Sequence, residues 1–248
     1  LFAGRVDRLD RLLAAEAERG KHALIYGERG VGKTSIARVG QAVYAGSRIV
    51  GYHTCSSDDT FESIWQSLLG DVQWQVARQG TGFTGEERRE AVSAVQMLSV
   101  SPTPNDVRRI LDTLGRARPL VLFIDEFDQP KDVPTRKAFA DTIKIVSDHS
   151  VAATLVLVGV GETVGQLNDE HESIVRSLSQ IQMPRMACEE LAEIIHRGMA
   201  AANLKVDDEF VRQVSRLSLG LPHYTHLLAQ HAAVYAVEQG RSRVVATD

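Results

Sequence analysis

The sequence predicts an α/β fold: a parallel five-stranded sheet sandwiched by helices, followed by an all-helical lid subdomain. Short apolar segments alternate with amphipathic helical segments along most of the chain, which is typical of a βαβ sheet. Beyond Pro184 the strand signal ends and helical segments follow one another. We therefore divide the chain into an α/β core at residues 1–185 and a helical lid at residues 186–248.

The predicted elements follow from hydrophobic periodicity. The first segment, RVDRLDRLLAAEAERG, has apolar residues at helical spacing and ends at Gly20, which indicates an amphipathic helix with a glycine cap. Asp58 and Asp59 are expected to cap the helix TFESIWQSLLGDV. The predicted strands are HALIYG, RIVGYHTC, PLVLFID, ATLVLVGV and IQM. The segment HESIVRSLSQ, directly before the last strand, is predicted to be helical.

Two further features concern the arrangement of these elements. The segment from about Ala77 to Pro104 loses the periodicity, which predicts a surface insertion carrying a short helix. In PLVLFID, five consecutive apolar residues precede Asp125, which favours a strand buried on both faces of a parallel sheet. Along the chain, the candidate strand RIVGYHTC lies between HALIYG and PLVLFID. This order permits PLVLFID, which ends in the acidic Asp125, to lie beside HALIYG in the sheet.

Composition leaves the partner open. The 248 residues are 44% hydrophobic and 24% charged, so the chain can bury a substantial core. A formal charge of -4 gives no basic field of the kind that indicates nucleic-acid binding. Cys55 and Cys188 lie far apart, which suits free buried thiols in a reducing cytosol better than a disulfide framework. We find no signal peptide and no bilayer-length apolar run, and we expect a cytoplasmic protein without a membrane partner; its ends suggest a fragment of a longer protein.

The segment YGERGVGKTS, residues 26–35, fits the pattern G-x-x-x-x-G-K-[ST] without a mismatch. A strand precedes it and a helix follows, so backbone N–H groups and the helix N-terminus can face a phosphate. Lys33 is expected to reach the β and γ phosphates, and the Thr34 hydroxyl to ligate Mg²⁺. The pattern predicts ATP and Mg²⁺ as ligands. The expected nucleotide contacts of the loop are Gly27, Glu28, Arg29, Gly30, Val31, Gly32, Lys33, Thr34 and Ser35.

Asp125 and Glu126 form the second candidate site. A carboxylate that ends a buried strand is costly unless positive charge lies opposite, and Mg²⁺ bound at the loop would supply that charge. Glu126, one position further, is expected to polarise a water for attack on the γ-phosphate. The alternative is an acidic pair that caps a helix or forms salt bridges.

These motifs resemble those of AAA+ ATPases, in the branch of origin-recognition, helicase-loader and transposition-regulator proteins, with the STAND signalling ATPases nearby. The resemblance begins with FAGRVDRLDRL and includes GERGVGKTS and LFIDEFD, which are similar to the entry motif, Walker A and Walker B. It implies a P-loop NTPase and spans nearly the whole chain. By this resemblance Phe2, Gly4 and Arg5 belong to the entry motif, whose helix folds over the adenine.

The resemblance also implies two sensors. LVLVGVGETV is similar to the first sensor strand, whose sensor is Glu162 or Thr163; we favour Thr163, because a carboxylate facing the γ-phosphate would be repelled. GLPHY occupies the place of the second sensor, commonly an arginine. Its Gly-x-Pro resembles the STAND branch, where the proline packs near the base, so Pro222 and His223 are expected to contact the nucleotide, with His223 replacing the arginine only partly.

SIVRSLSQIQMPRM is similar to the family's segment that carries the arginine finger. Arg176 is the candidate, presented to the γ-phosphate of a neighbouring subunit, and Arg185 competes for the role. The alternative for Arg176 is a surface arginine on an amphipathic helix. His223, His226 and His231 resemble a metal set, but three imidazoles without a cysteine or carboxylate in register are more typical of helix-face or core residues.

Two hypotheses about function remain open. The first is a Mg²⁺-dependent, slow or partner-stimulated ATPase that assembles into a homo-oligomer in a nucleotide-dependent way and acts on or with DNA. The second is a STAND-like nucleotide switch in bacterial signalling or defence, which oligomerises on activation. A scaffold that binds ATP or ADP with negligible turnover is a third possibility. The partner is expected to be DNA or a protein.

Overall fold

The computed structural model describes residues 5–79, 87–160 and 172–247. The strands are β1 (His22–Tyr26), β2 (Ile49–Thr54), β3 (Gln73–Gln79), β4 (Glu87–Ser93), β5 (Leu120–Asp125), β6 (Ala153–Gly159), β7 (Leu178–Gln182), β8 (Lys205–Val206) and β9 (Arg243–Val244). The helices are α1 (Val6–Ala17), α2 (Lys33–Tyr44), α3 (Phe61–Gly70), α4 (Pro104–Ala117), α5 (Val133–Asp148), α6 (Cys188–Ala201), α7 (Asp208–Leu217) and α8 (Pro222–Glu238). Short 3₁₀ helices cover Ala94–Met97 and Glu172–Ser177.

Helices cover both faces of the central sheet because alternate residues of its inner strands are apolar on both sides. Every residue of β5 and β6 is buried. Leu122 and Ile124 of β5 pack in one hydrophobic cluster with residues of α3, α4 and α5. Val121 and Phe123 pack on the opposite face with residues of α1 and α2. The predicted five-stranded parallel sheet between helices is confirmed.

The strand order is β2-β5-β6-β1-β7, and each neighbouring pair is parallel. The order of segments along the chain permitted the acidic strand to lie beside the loop strand, but in the structure β6 lies between them. Val156 of β6 pairs with Ala23 of β1 on one side and with Phe123 of β5 on the other. The carboxyl ends of β1, β5 and β6 nevertheless meet at one edge of the sheet, which is the usual ligand edge of an open α/β sheet.

Two local predictions are wrong, one because strand pairing overrides the helical pattern and one because a different residue caps the helix. Pairing of Leu178 with His22 starts β7 within the segment predicted to be helical, where only the 3₁₀ turn at Glu172–Ser177 remains. The helix α3 is capped by Thr60, not by Asp58 or Asp59, because the Thr60 and Ser63 side chains exchange hydrogen bonds with each other's backbone N–H.

The predicted insertion has more structure than its sequence indicated. Strands β3 and β4 pair as an antiparallel hairpin, and the 3₁₀ helix at Ala94–Met97 follows directly. Residues 80–86 of the predicted insertion lie outside the described ranges. The buried Ala94 attaches the base of the hairpin to the main core cluster.

The three helices predicted after Pro184 are present as α6, α7 and α8. They share a hydrophobic cluster of their own, in which Met199, Phe210, Val214 and Ala236 are buried. Strands β8 and β9 add a short parallel pair that the sequence pattern did not predict. The backbone N–H of Met186 donates to the carbonyl of Gly220, 2.8 Å away, and joins the connection after β7 to the turn before α8. The domain boundary after residue 185 stays a prediction.

Two further observations bear on the composition. Cys55 and Cys188 are free thiols, as expected, and Cys55 is buried. The expectation that Cys188 is buried is wrong, because it is exposed at the first position of α6. Within the described ranges, no helix is both long and apolar enough to cross a membrane.

Two helical glycines provide a test of how tightly α1 and α2 pack on the sheet. A Cβ added at Gly40 of α2 would lie 2.8 Å from Leu12 Cδ2 and 3.3 Å from Phe123 Cζ, whereas one added at Gly198 of α6 meets nothing within 4 Å. We expect Gly198→Ala to raise the free energy of unfolding by about 0.5–1 kcal/mol through helix propensity. In Gly40→Ala, overpacking of about 1–3 kcal/mol should cancel or exceed that gain. Urea denaturation of both variants measures the difference, and equal stabilisation would contradict the packing.

Candidate functional site

The loop between β1 and α2 is shaped by its glycines. A Cβ at Gly27 would lie 2.4 Å from the carbonyl oxygen of Met183, so the position has no room for a side chain. Gly30 and Gly32 have φ values of 80° and 92°, in the left-handed region that favours glycine. Helix α2 begins at Lys33 after an N-cap glycine that gives no side-chain cap. The backbone N–H groups of its first turn are therefore available to an anion.

Arg5 forms hydrogen bonds with this loop and with the segment after β7. Its buried guanidinium donates hydrogen bonds to the carbonyl oxygens of Val31 and Pro184, and so joins the loop to the segment after β7. Burial lowers the pKa of Arg5 from its ordinary value, and the carboxylate of Glu190 opposes that effect. Arg5 was predicted to contact the nucleotide. It does not line the cleft described next, and its observed hydrogen bonds are with two backbone carbonyls and the sulfur of Met183.

A cleft of about 610 Å³ opens in front of the loop. Its walls come from the loop and α2, from the carboxyl ends of β5 and β6, and from the first turn of α8. The lining residues are Arg29, Gly30, Gly32, Lys33, Thr34, Ser35, Asp125, Glu126, Asp128, Gln129, Val158, Gly159, Val160, Pro222, His223 and His226. The structure thus gathers most of the predicted site residues around one cavity, between the sheet edge and the lid.

Lys33 places an ammonium group inside the loop. Its Nζ donates to the carbonyl oxygens of Gly27, at 3.0 Å, and Glu28, at 2.9 Å. Desolvation by burial lowers the pKa of Lys33, while the carboxylates of Asp128 and Asp125 oppose that effect. The amine is half-buried and lines the cleft, which is the environment expected of a phosphate-binding lysine.

Asp125 ends the buried strand with its side chain only 2% exposed. Its Oδ2 accepts a 2.7 Å hydrogen bond from the Tyr52 hydroxyl, and its Oδ1 accepts one from the Glu126 backbone N–H at 2.9 Å. Burial and the bond to Asp125 raise the pKa of Tyr52, which keeps the phenol protonated as a donor. The Arg38 guanidinium lies 3.4 Å from the centre of the Tyr52 ring, and that ring stacks on Phe123.

These residues fit a magnesium ion. The Thr34 hydroxyl and the Asp125 carboxylate line the same cleft, and oxygen atoms are the ligands that Mg²⁺ prefers. Two neutral donors hold the carboxylate in place, and a buried carboxylate of this kind is stabilised by a nearby cation. The donor set therefore suits the cofactor predicted from the sequence.

Glu126 adopts a strained backbone conformation. Its φ of 52° lies in the left-handed region, which costs a residue with a side chain about 1–3 kcal/mol. The conformation turns its N–H back onto Asp125 and leaves its own side chain exposed at the cleft. A solvated carboxylate beside the buried one can orient a water molecule and accept a proton from it.

Other predicted residues fall outside the cavity lining. Val31 is 1% exposed and belongs to the core, so its contribution to the loop is its backbone. Glu28 forms an ion pair with Arg185 at 2.7 Å, and Arg185 also donates to the carbonyl of Leu219 in the lid, at 3.3 Å. Arg185 is thus engaged within its own chain. The predictions for Phe2, Gly4, Glu162 and Thr163 lie outside the described residues.

Arg176 is exposed in the 3₁₀ turn that precedes β7. Its carbonyl accepts a hydrogen bond from Lys21 Nζ at 2.8 Å, which joins the turn to the start of β1. Since β7 runs parallel to β1, Arg176 lies at the amino edge of the sheet and the loop at the carboxyl edge. A strand of this length separates the two edges by roughly 17 Å, so Arg176 is remote from its own cleft.

Sequence reasoning missed several neighbours of the site. Asp128 and Gln129 follow the acidic strand and line the cleft, and Tyr52 reaches Asp125 from β2. His226 lies three residues after His223, the spacing that places two side chains on one helix face. That spacing was a usable signal for His226, whereas the Tyr52 contact depends on strand pairing.

Comparisons with known proteins identify the family of the chain. A family model described as the AAA ATPase domain matches residues 2–158, more than half of the chain. The chain belongs to the AAA ATPase domain family. The resemblance to AAA+ P-loop ATPases is thereby confirmed, while the STAND-like character of the lid stays a prediction. A comparison with curated proteins gives no match.

Solved AAA+ structures share the fold. RuvB of Thermotoga maritima, a Holliday junction branch migration motor, is 17% identical with a TM-score of 0.60, over 99% of this chain and 67% of that one. ORC1 of Aeropyrum pernix, in complex with DNA, is 20% identical with a TM-score of 0.62, over 98% and 63%. ORC2 of Aeropyrum pernix, in ADPNP and ADP complexes, is 14% identical with a TM-score of 0.64, over 97% and 63%. The AAA ATPase chain spans about two thirds of these proteins, and at such identities the likeness concerns the fold.

The hydrogen bond from Tyr52 to the buried Asp125 should carry measurable stability. We expect Tyr52→Phe to lower the free energy of unfolding by about 1.5–3 kcal/mol, the usual range for a bond to a charged group. Tyr235→Phe is the matched control, because Tyr235 is 46% exposed on α8 and should tolerate the change. Urea denaturation at pH 7 checks both variants. Equal effects would mean that the Tyr52 hydroxyl does not hold the carboxylate.

Proposed function

We propose that this AAA ATPase domain binds ATP with Mg²⁺, hydrolyses it at an interface between subunits, and acts on or with DNA. The observation that carries the proposal is one cleft in which Lys33, Asp125 and Glu126 converge at the uncapped start of α2. A half-buried cation, a buried carboxylate and a solvated carboxylate are the three side-chain groups that phosphoryl transfer to water requires.

Each residue has a distinct role in the proposed reaction. The loop N–H groups and Lys33 hold the phosphate chain, and Lys33 exchanges its bonds to the Gly27 and Glu28 carbonyls for bonds to phosphate oxygens. Thr34 and Asp125 would hold Mg²⁺, which neutralises charge on the phosphate oxygens when bound. Glu126 orients the attacking water and accepts its proton. Pro222 and His223 close the cleft from the lid side.

In this proposal, a further positive charge beside those of Lys33 and Mg²⁺ comes from another subunit. Arg176 is exposed at the sheet edge opposite its own cleft, where a neighbouring cleft can receive it. Head-to-tail contacts of this kind build rings or helical filaments, since each subunit offers the finger on one side and the cleft on the other. Thr163 as the first sensor, and Phe2 and Gly4 beside the adenine, complete the proposed set.

The proposal favours action on DNA over a signalling switch. Proteins with this fold include ORC1, solved in complex with DNA, and RuvB, a Holliday junction branch migration motor, and this favours a role on DNA. The formal charge of -4 means that DNA contact would have to come from a local basic surface or from a partner.

Glu126→Gln tests the proposed hydrolysis. The amide keeps the shape of the side chain but cannot accept a proton, so turnover should fall by roughly 10²–10⁴-fold while ATP still binds. ATP turnover is measured against protein concentration, with and without double-stranded DNA. We expect wild-type turnover to rise with concentration and with DNA. Near-zero turnover that changes neither with protein concentration nor with DNA, together with nucleotide retained after purification, would contradict the DNA-associated ATPase and favour a switch or scaffold.

Mixing two inactive variants tests whether Arg176 acts between subunits. Arg176→Ala should lose about 10³–10⁵-fold in turnover if it is the finger. A mixture with Glu126→Gln should regain activity, because about a quarter of randomly formed interfaces combine an intact Glu126 with an intact Arg176. Arg212→Ala is the control, since Arg212 forms an exposed pair with Glu209 on α7. An Arg176→Ala variant with normal turnover would assign the arginine to the surface instead.

A further inference from the structure

We propose that His223 and His226 form a proton-linked phosphate sensor, so that binding of a nucleoside triphosphate draws a proton onto the lid. This inference rests on the proposed nucleotide site and goes beyond it, because it assigns His226 a role and gives binding a pH dependence. It concerns the start of α8, where both histidines line the cleft together with the glycine loop.

The lid brings these side chains close to the loop. Pro222 starts α8, and its Cγ lies 3.6 Å from the position of a Cβ added at Gly32. The Cβ of His223 lies 3.8 Å from the corresponding position at Gly30. His226, three residues further on, lines the same cleft, because residues at that spacing share a helix face. Both histidines therefore line the same cleft as the loop whose N–H groups would hold the phosphates.

Histidines are the titratable groups that the lid offers at this position. Among the described residues that line the cleft, α8 contributes only Pro222, His223 and His226. The other charged groups facing the cleft are Arg29 and Lys33 from the loop and α2, and Asp125, Glu126 and Asp128 from the end of β5 and the turn after it. The lid thus presents imidazoles, which change charge near neutral pH, where an arginine would be permanently charged.

The cleft disfavours the charged form of His226 when no phosphate is bound. His226 is exposed to solvent. Even so, desolvation by the surrounding protein lowers its pKa, and the neighbouring His223 lowers it further. The positive end of the α8 dipole acts in the same direction.

A bound triphosphate reverses this balance. Its negative charges favour an imidazolium within a few ångströms, so the pKa of His226 rises on binding. A group whose pKa is higher in the complex takes up a proton as the complex forms. Nucleotide affinity then gains from acid pH, and the gain is lost as the pH rises through the higher pKa. The imidazolium also holds the lid against the phosphates with a charge-assisted hydrogen bond.

Titration calorimetry measures the proton directly. A non-hydrolysable ATP analogue with Mg²⁺ is titrated at pH 7 in two buffers that differ in ionisation enthalpy, and the slope of the observed heat gives the number of protons taken up. The analogue's own ionisation contributes equally for all variants. We expect the wild type to take up about 0.5–1 proton more than the double variant His223→Gln, His226→Gln.

His231→Gln is the matched control, because His231 lies on the same helix but outside the cleft lining and is exposed. It should keep the wild-type proton uptake. From pH 6 to pH 8, the affinity of the wild type for the analogue should fall more steeply than that of the double variant. The difference in affinity should grow by up to tenfold per pH unit for each proton taken up.

The outcomes separate this inference from the proposed function. Binding with the same proton uptake in the wild type and the double variant would overturn the proton-linked sensor and leave the nucleotide site intact. Absence of any binding heat in the wild type would overturn the site itself. If His226→Gln alone abolished all of the extra proton uptake, His223 would contribute nothing, and this would also contradict a paired sensor.

Discussion

The carboxylate of Asp125 lies at the end of a strand whose every residue is buried, and the neighbouring structure is arranged around that constraint. A buried charge without partners would cost several kilocalories per mole. Here Tyr52 and the Glu126 N–H donate to it, Arg38 lies over the Tyr52 ring, and Lys33 sits across the cleft. The left-handed backbone of Glu126 follows from the same arrangement, since its N–H turns back onto the carboxylate.

The glycine loop and the buried strand were predictable because both depend on local physics. Glycine spacing determines where the backbone can approach an anion, and five apolar residues before Asp125 indicate burial on both faces. The contacts that sequence reasoning missed depend on pairing between distant segments. The insertion of β6 between β5 and β1, the start of β7 at Leu178, and the contact of Tyr52 with Asp125 follow from register. No local pattern encodes them.

Sheet topology also accounts for the proposed need for more than one subunit. Parallel strands bring all their carboxyl ends to one edge, so the loop, Asp125 and Glu126 meet there. The same rule places the turn that carries Arg176 at the other edge. Arg185, the last residue of the predicted core, donates a hydrogen bond to Leu219 of the lid, and Pro222 and His223 of the lid line the cleft. Motion of the lid would change the contacts of α8 with the loop.

A crystal structure with Mg²⁺ and a non-hydrolysable ATP analogue would test the central claim, that the cleft holds a triphosphate and its metal, most directly. The account predicts phosphates against the N–H groups of Gly30 to Thr34, with Lys33 Nζ moved from the carbonyls of Gly27 and Glu28 onto phosphate oxygens. It predicts Mg²⁺ about 2.0–2.2 Å from Thr34 Oγ1, on the side of Asp125. A nucleotide bound elsewhere, or Lys33 still bonded to both carbonyls with the analogue present, would contradict it.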